Sequence, residues 1–225
     1  MHEGDLPMPV HPNVTAETEI VAVGGSLTTA TLRWAYATGS FPMPLDVNDA
    51  ESAGYAWFSP QPRAVLTSPG MHVSRSLRKS MRGFTTSIDA AFPQVLAGCA
   101  DPSRPHSWIT RNYLEVYLDL AARGEAHSVE VWRGQDLVGG LIAVELGGLV
   151  CADSKFRRVT DASKAAVARL SAEVFGRPDG ERRLIDAQWP TRHLVSLGFQ
   201  SWPRSRYLRE IRRLRKLPPV LGPAQ

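Results

Sequence analysis

His127-Ser-Val-Glu-Val-Trp-Arg-Gly-Gln-Asp-Leu-Val-Gly-Gly-Leu-Ile-Ala-Val-Glu-Leu-Gly-Gly-Leu-Val-Cys-Ala-Asp153 is the stretch whose reading decides the fold. Polar and β-branched residues alternate over His127–Trp132, and Arg133-Gly134-Gln135-Asp136 has turn composition. Leu137–Leu146 is a second apolar run, Gly147-Gly148 a second turn and Leu149–Asp153 a third run. Short runs joined by Gly-containing turns predict three antiparallel strands. Leu137–Ala152 is too short to span a bilayer, contains Glu145 and is interrupted by four glycines, so it is not a membrane segment.

Helical patterns lie on both sides of this meander. Upstream, helices are expected over about 27–37 (stopped by Gly39 and the turn residues Phe41-Pro42-Met43-Pro44), Ser74–Met81, Ala90–Ala100 and Asn112–Ala122. Tyr55–Phe58 and Ala64–Leu66 are strand-like around the stiff Ser59-Pro60-Gln61-Pro62-Arg63 turn. Downstream come a helix over Asp161–Phe175, capped by Thr160 or Asp161, a short strand over Leu184–Gln188 and a short helix over Arg192–Leu197. The expected class is α+β, with a loose lead-in over 1–19, a small domain over 20–62, a main domain over 63–216 and a tail over 217–225.

The chain has 225 residues, 43% of them hydrophobic and 21% charged, which excludes a disordered or fibrous protein. The formal charge of +4 is unevenly placed. From Ser201 onward seven basic residues face one acid, and Arg206, Arg209, Arg213 and Lys216 share one helical face, either a solvated surface or a nucleic-acid contact. Two cysteines are too few for a disulfide framework, and the N-terminus lacks a signal-peptide pattern; a reducing, cytoplasmic setting is expected.

No Gly-x-Gly-x-x-Gly, phosphate loop, His-Glu-x-x-His or close Cys/His set is present, which disfavours nucleotide hydrolysis and zinc chemistry. Neither cysteine has the setting of a catalytic thiol, and His127, in an alternating strand, reads as structural. Asp153 ends a predicted strand, and Asp186-x-Gln188 places two polar side chains on one face of an otherwise apolar strand. They are either site residues or a turn cap and its neighbour. Trp57, Phe58 and Trp108 read as core or as stacking platforms, and the basic helix bearing Arg75, Arg78 and Lys79 as a solvated face or a phosphate contact.

Nine segments in order carry a more specific signal: Tyr36-Ala-Thr-Gly-Ser-Phe-Pro-Met43, Trp57-Phe-Ser-Pro-Gln-Pro-Arg-Ala-Val-Leu66, His72-Val-Ser-Arg-Ser-Leu-Arg-Lys79, Ser107-Trp-Ile-Thr110, Gly124-Glu-Ala-His-Ser-Val-Glu-Val-Trp132, Leu137-Val-Gly-Gly140, Ala162-Ser-Lys164, Leu184-Ile-Asp-Ala-Gln188 and His193-Leu-Val-Ser-Leu-Gly198. Together they resemble the leucyl/phenylalanyl-tRNA–protein transferases, bacterial enzymes that append an amino acid to the N-terminus of acceptor proteins. The resemblance implies an acetyltransferase-like (GNAT) main domain and a site for the aminoacylated 3′ end of tRNA. An aminoacyl ester is already activated, so no cofactor and no metal is implied; the acceptor amine must be positioned and relieved of a proton.

By the same resemblance Gln188 and Asp186 match the family's proton-relay pair. An amide is a poor base, so Gln188 is better read as an orienting partner polarised by Asp186. Asp153 falls where the family has the glutamate of Gly-Glu-Ser. Trp57 and Trp108 match aromatics that hold the terminal adenosine, with Phe58 beside Trp57; Arg75, Arg78 and Lys79 would follow the phosphates. Leu141, Val167, Leu170, Val174 and Ile185 would line an apolar pocket for a Leu, Met or Phe side chain. The partners implied are aminoacyl-tRNA and a protein beginning with Arg or Lys.

The chain departs from the family pattern at Ala152-Asp153-Ser154-Lys155-Phe156-Arg157, where Gly-Glu-Ser-Met-Phe-Ser is usual, and at Ile142-Ala143, where Tyr-Gly is usual. The altered neighbourhood of Asp153 motivates the first of two alternatives, and the second is of a different class. The amino acid is delivered to a small amine, as in natural-product assembly, or the protein binds aminoacyl-tRNA without turnover.

Overall fold

The computed structural model describes residues 18–49, 53–105 and 107–221. The expected lead-in lies mostly outside them, but Glu19 is fastened: its carbonyl accepts from the Ser59 N–H and its carboxylate from the Trp189 indole.

Strands β1 (Ile20–Val23), β2 (Phe41–Pro44) and β3 (Tyr55–Phe58) form a small antiparallel sheet in the order β1-β3-β2. Helix α1 (Thr29–Thr38) joins β1 to β2; it starts on a Thr28/Thr31 capping box and stops at Gly39, whose φ of 85° is the left-handed cap that glycine supplies. The Phe-Pro-Met-Pro segment, expected as a turn, is a strand. Its prolines are tolerated because β2 is an edge, where a missing N–H breaks no ladder bond.

The main sheet has seven strands: β4 (Arg63–Leu66), β5 (Thr85–Ile88), β6 (Ala126–Arg133), β7 (Asp136–Leu146), β8 (Leu149–Arg157), β9 (Leu184–Asp186) and β10 (Gln200–Trp202), in the order β10-β4-β9-β8-β7-β6-β5. The meander that opens the sequence reading is β6-β7-β8. β5 and β10, short and polar, have no apolar signal in the sequence. Every pairing is antiparallel except β8–β9. That pair needs a crossover, supplied by α5 (Ala162–Phe175).

Among the described residues there are five further α-helices: α2 (Arg75–Met81), α3 (Phe92–Ala100), α4 (Arg111–Ala122), α6 (Arg192–Ser196) and α7 (Arg204–Leu214). The α+β expectation with a mostly antiparallel sheet holds. Two cores lie on opposite faces of the sheet. One joins Leu149, Cys151 and Leu184 to Leu32, Tyr36, Tyr117 and Tyr207 of α1, α4 and α7. The other joins Val150, Leu141 and Ile185 to Val167, Leu170 and Val174 of α5.

The basic C-terminal segment is less free than its charge suggests. Tyr207, Ile211 and Leu214 bury one side of α7, while Arg206 lies 3.7 Å over the Trp202 ring and Arg215 donates to the Ala37 carbonyl. The tail is docked as far as Leu221, where the backbone N–H groups of Val220 and Leu221 donate to Glu145. His127 is structural: it is buried, with Nδ1 2.7 Å from Asp89.

Candidate active site

The parallel pairing of β8 with β9 runs from Leu149 opposite Leu184 to Cys151 opposite Asp186. Beyond it β8 continues to Arg157 while β9 has ended, so the strands part and leave an opening at the C-terminal end of β9. Two local irregularities aim polar groups into it. Between β7 and β8 the register passes from Ile142 opposite Ser154 to Ala143 opposite Ala152, leaving Asp153 as the extra residue of a β-bulge. Across from it Gln188 has φ 59°, left-handed backbone that costs a non-glycine residue about 1–3 kcal/mol and persists where surrounding bonds over-determine it. Those bonds are its N–H to Asp186 Oδ1 (3.0 Å) and its carbonyl to the Ala64 N–H (2.9 Å).

The side chains then meet. Gln188 Nε2 donates to Asp153 Oδ1 at 2.9 Å, and the Tyr36 and Tyr117 hydroxyls donate to Asp153 Oδ2 at 2.6 and 3.0 Å. Burial pushes the Asp153 carboxyl up to about 7, with help from nearby Asp186 and against the two tyrosine bonds, which favour the ionised form. Burial and the Asp153 charge also push both phenols well above their usual range, so they remain donors.

Asp186 sits one layer deeper, with no accessible surface. Arg63 holds it bidentately, Nε to Oδ1 at 2.8 Å and Nη2 to Oδ2 at 2.5 Å, and the Tyr207 hydroxyl adds a third partner at 3.0 Å. Its reach to Gln188 is through the Gln188 backbone, not the side-chain amide. The Arg63 guanidinium lies 5.0 Å from the Phe41 ring centre and 4.6 Å from that of Tyr207. Burial alone would make it easier to deprotonate; the Asp186 charge outweighs that and fixes it as a cation. Cys151 borders this pair, and burial beside Asp186 and Asp153 pushes its thiol well up, away from reactivity.

The structure thus brings Asp153, Asp186 and Gln188 together and adds four residues that sequence reasoning missed: Tyr36, Arg63, Tyr117 and Tyr207. Arg63 left one trace, a cation directly before the apolar Ala64-Val65-Leu66 run, which needs a buried partner. The strand expected to end at Asp153 continues to Arg157, because Lys155 and Arg157 imitate a loop in sequence.

The remaining candidates are dispersed. Trp57 has no exposed surface and its indole donates to the Gly24 carbonyl, so it presents no face for stacking. Phe58 is half-buried, 5.3 Å from Trp189, and Trp108 is half-buried with its ring edge-on to Tyr113. Trp189, next to Gln188, had no place in the sequence reading. Leu141, Val167, Leu170, Val174 and Ile185 do cluster, but at 0–3% exposure they fill one another's space under α5, on the sheet face opposite Asp153 and Asp186. The alternation of β8 and β9 imposes that separation; an open pocket there would require α5 to move. Arg75, Arg78 and Lys79 are exposed on α2, which buried Leu77 and partly buried Met81 anchor.

The tyrosine bonds make a testable claim. Tyr36→Phe or Tyr117→Phe removes a donor that favours ionised Asp153, so the ionisation limiting turnover should move to higher pH by about one unit, read from a pH–rate profile.

A carboxylate poised near neutrality, held by an amide and two phenols at a strand opening, is equipped to exchange protons during group transfer. The relatives of this chain in sequence are transferases by name. The family model described as leucyl/phenylalanyl-tRNA protein transferase matches residues 65–212. A leucyl/phenylalanyl-tRNA–protein transferase of Tolumonas auensis is 39% identical over 207 residues, covering 90% of this chain and 85% of that protein. One from Chromohalobacter salexigens is 42% identical over 193 residues, covering 84% and 72%. Among solved structures, a GCN5-related N-acetyltransferase from Kribbella flavida superposes with a TM-score of 0.42 at 13% identity, over 64% of this chain and 55% of that one. The chain belongs to the leucyl/phenylalanyl-tRNA–protein transferase family. No helix among the described residues is long and apolar enough to cross a membrane.

Proposed function

We propose that the protein transfers leucine, phenylalanine or a similar apolar residue from aminoacyl-tRNA to the N-terminal amine of an acceptor protein beginning with Arg or Lys, and that Asp153 and Gln188 form the centre. The observation that carries this reading is the Gln188–Asp153 hydrogen bond, made by a left-handed residue and a bulge residue across the mouth of the β8–β9 opening. Two irregularities that converge on one contact mark a site held against local preference.

The reaction is aminolysis. The acceptor nitrogen attacks the ester carbonyl, the new C–N bond forms, the C–O bond to the ribose breaks, and one proton passes from nitrogen to the departing oxygen. An α-amine titrates near 7.7–8. Asp153, poised near 7, therefore takes that proton with little mismatch and can return it to the leaving oxygen. Gln188 orients the carboxylate, and the Arg63–Asp186 pair holds Gln188 by its backbone. The half-buried rings of Phe58, Trp108 and Trp189 supply surface for the terminal base and the amino-acid side chain.

The test is label transfer from separately charged tRNAs to peptides beginning with Arg or Lys, followed by mass spectrometry. Modified peptide supports the reading. Ester loss that needs a small amine favours natural-product assembly instead, and binding without turnover excludes catalysis. In the same assay Gln188→Ala is expected to lower transfer about 100-fold or more while tRNA binding stays within about twofold; unimpaired transfer would remove Gln188 from the centre.

A further inference from the structure

Beyond Asp153 the open edge of β8 borders a second cleft, of about 670 Å³, lined by Arg104, Lys155, Arg157, Lys164 and His193; among the described residues no Asp or Glu lines it. Its charge is poorly neutralised from within. Among the described residues Lys164 has a direct ion pair, with Asp161 at 2.8 Å; that carboxylate also feels Arg157, and Asp101 feels Arg104, without direct contact. Arg104 donates to two neutral carbonyls, of Cys99 and Lys155. Among the described residues neither Lys155 nor Arg157 is paired with an acid. Crowding shows in the titration: burial together with Lys155, Lys164 and Arg157 holds the His193 imidazole below its ordinary range, and burial together with Arg104 does the same to Lys155. Gathering like charges in a partly buried groove is unfavourable unless an anion completes it.

Two features select the kind of anion. Lys155 and Arg157 are two residues apart on a strand, about 6.6–6.8 Å, so with Arg104, Lys164 and His193 they spread charge along a groove instead of converging on one point. A smaller cleft of about 300 Å³, bordered by Ser74, Ser76 and Leu77 of the α2 region, shares Lys164 and His193 with the first. Asp161 also lines the smaller cleft, and the α2 cations Arg75, Arg78 and Lys79 line neither, so the positive track is that of Arg104, Lys155, Arg157, Lys164 and His193. A chain of phosphates matches a track of this form; a single carboxylate would leave most of it unmatched.

We propose that this cleft binds successive backbone phosphates of the donor RNA's single-stranded end, guiding its esterified terminus to Asp153. The proposal rests on the transfer reading given above. Lys155 and Arg157 are binding residues and take no part in the proton movements.

The measurement is the salt dependence of deacylated tRNA binding to the full chain, by fluorescence anisotropy. Each lost phosphate contact makes the log–log slope shallower by about 0.7 for single-stranded nucleic acid. Lys155→Met/Arg157→Gln should therefore flatten the slope by about 1.4, weaken binding about tenfold or more at 0.1 M salt, and abolish competition by inorganic pyrophosphate. Arg157→Gln alone, a change at an exposed residue, should flatten it by about 0.7 and covers the case in which the double variant folds poorly. An unchanged slope in Arg157→Gln overturns the proposal. So does an unchanged slope accompanied by altered preference among charged tRNAs, which would assign the cleft to a carboxylate on the donor amino acid. If the wild type binds tRNA with the expected slopes but transfers to no acceptor, the phosphate track stands and the transfer reading falls; transfer with unchanged slopes has the opposite meaning.

Discussion

Asp153→Asn is expected to lower aminoacyl transfer by about 10²–10⁴-fold, the usual range for loss of a positioned proton acceptor, with tRNA affinity changed by less than about twofold. The substitution is close to isosteric. The new carbonyl can accept from Tyr36 and Tyr117, and the new amide can donate to Gln188 once the Gln188 amide turns over. Stability should move the other way. The folded carboxyl titrates near 7 and the unfolded one near 3.8, so the native state binds the extra proton between those values. Its stabilising contribution is full below about 4 and is lost as pH rises through 7. An asparagine has no such dependence. The variant should therefore exceed the wild type by about 1–2 kcal/mol at pH 8 and show no advantage at pH 4, measured by urea denaturation at both values. Transfer within tenfold of wild type would sink the assignment of Asp153 as proton acceptor, and equal stabilities at pH 8 would contradict its buried ionised state.

The largest stability effect is expected at Arg63. Arg63→Met retains much of the side-chain volume between Phe41 and Tyr207 but leaves Asp186 as an uncompensated buried charge, at a cost of about 3–5 kcal/mol. Adding Asp186→Asn removes that charge and should recover more than half the loss, since neutralising both members of a buried pair is far less damaging than breaking it. Transfer should recover in part with it, because the asparagine carbonyl still accepts from the Gln188 N–H. A loss under about 1 kcal/mol in Arg63→Met would mean that the pair does not hold the site together.

Legibility from sequence was uneven for physical reasons. The meander, α3, α4 and α5 follow from apolar periodicity, because each buries one face against the sheet. β2 was hidden by its prolines and β10 by its brevity. Asp153, Asp186 and Gln188 could be singled out as polar groups on apolar strands. Their mutual arrangement could not, since it depends on a bulge and a left-handed residue that no periodicity encodes. Tyr36 and Tyr117 look like ordinary core aromatics, and only the tertiary fold brings their hydroxyls to one carboxylate oxygen. The apolar set around Leu141 and Ile185 packs together, but alternation along the strands places it on the far face of the sheet, as core under α5.

The bulge at Asp153 makes the direction of that carboxylate a matter of residue count as much as of residue type. Ala152 and Ser154 are already spoken for by Ala143 and Ile142, so Asp153 belongs to the spacing between two paired neighbours. Substitutions along β7 and β8 leave that spacing alone. A one-residue deletion there removes it, and every later side chain of β8 must either exchange faces or surrender its partner. Descendants of this gene can therefore vary the strand's letters far more freely than its length.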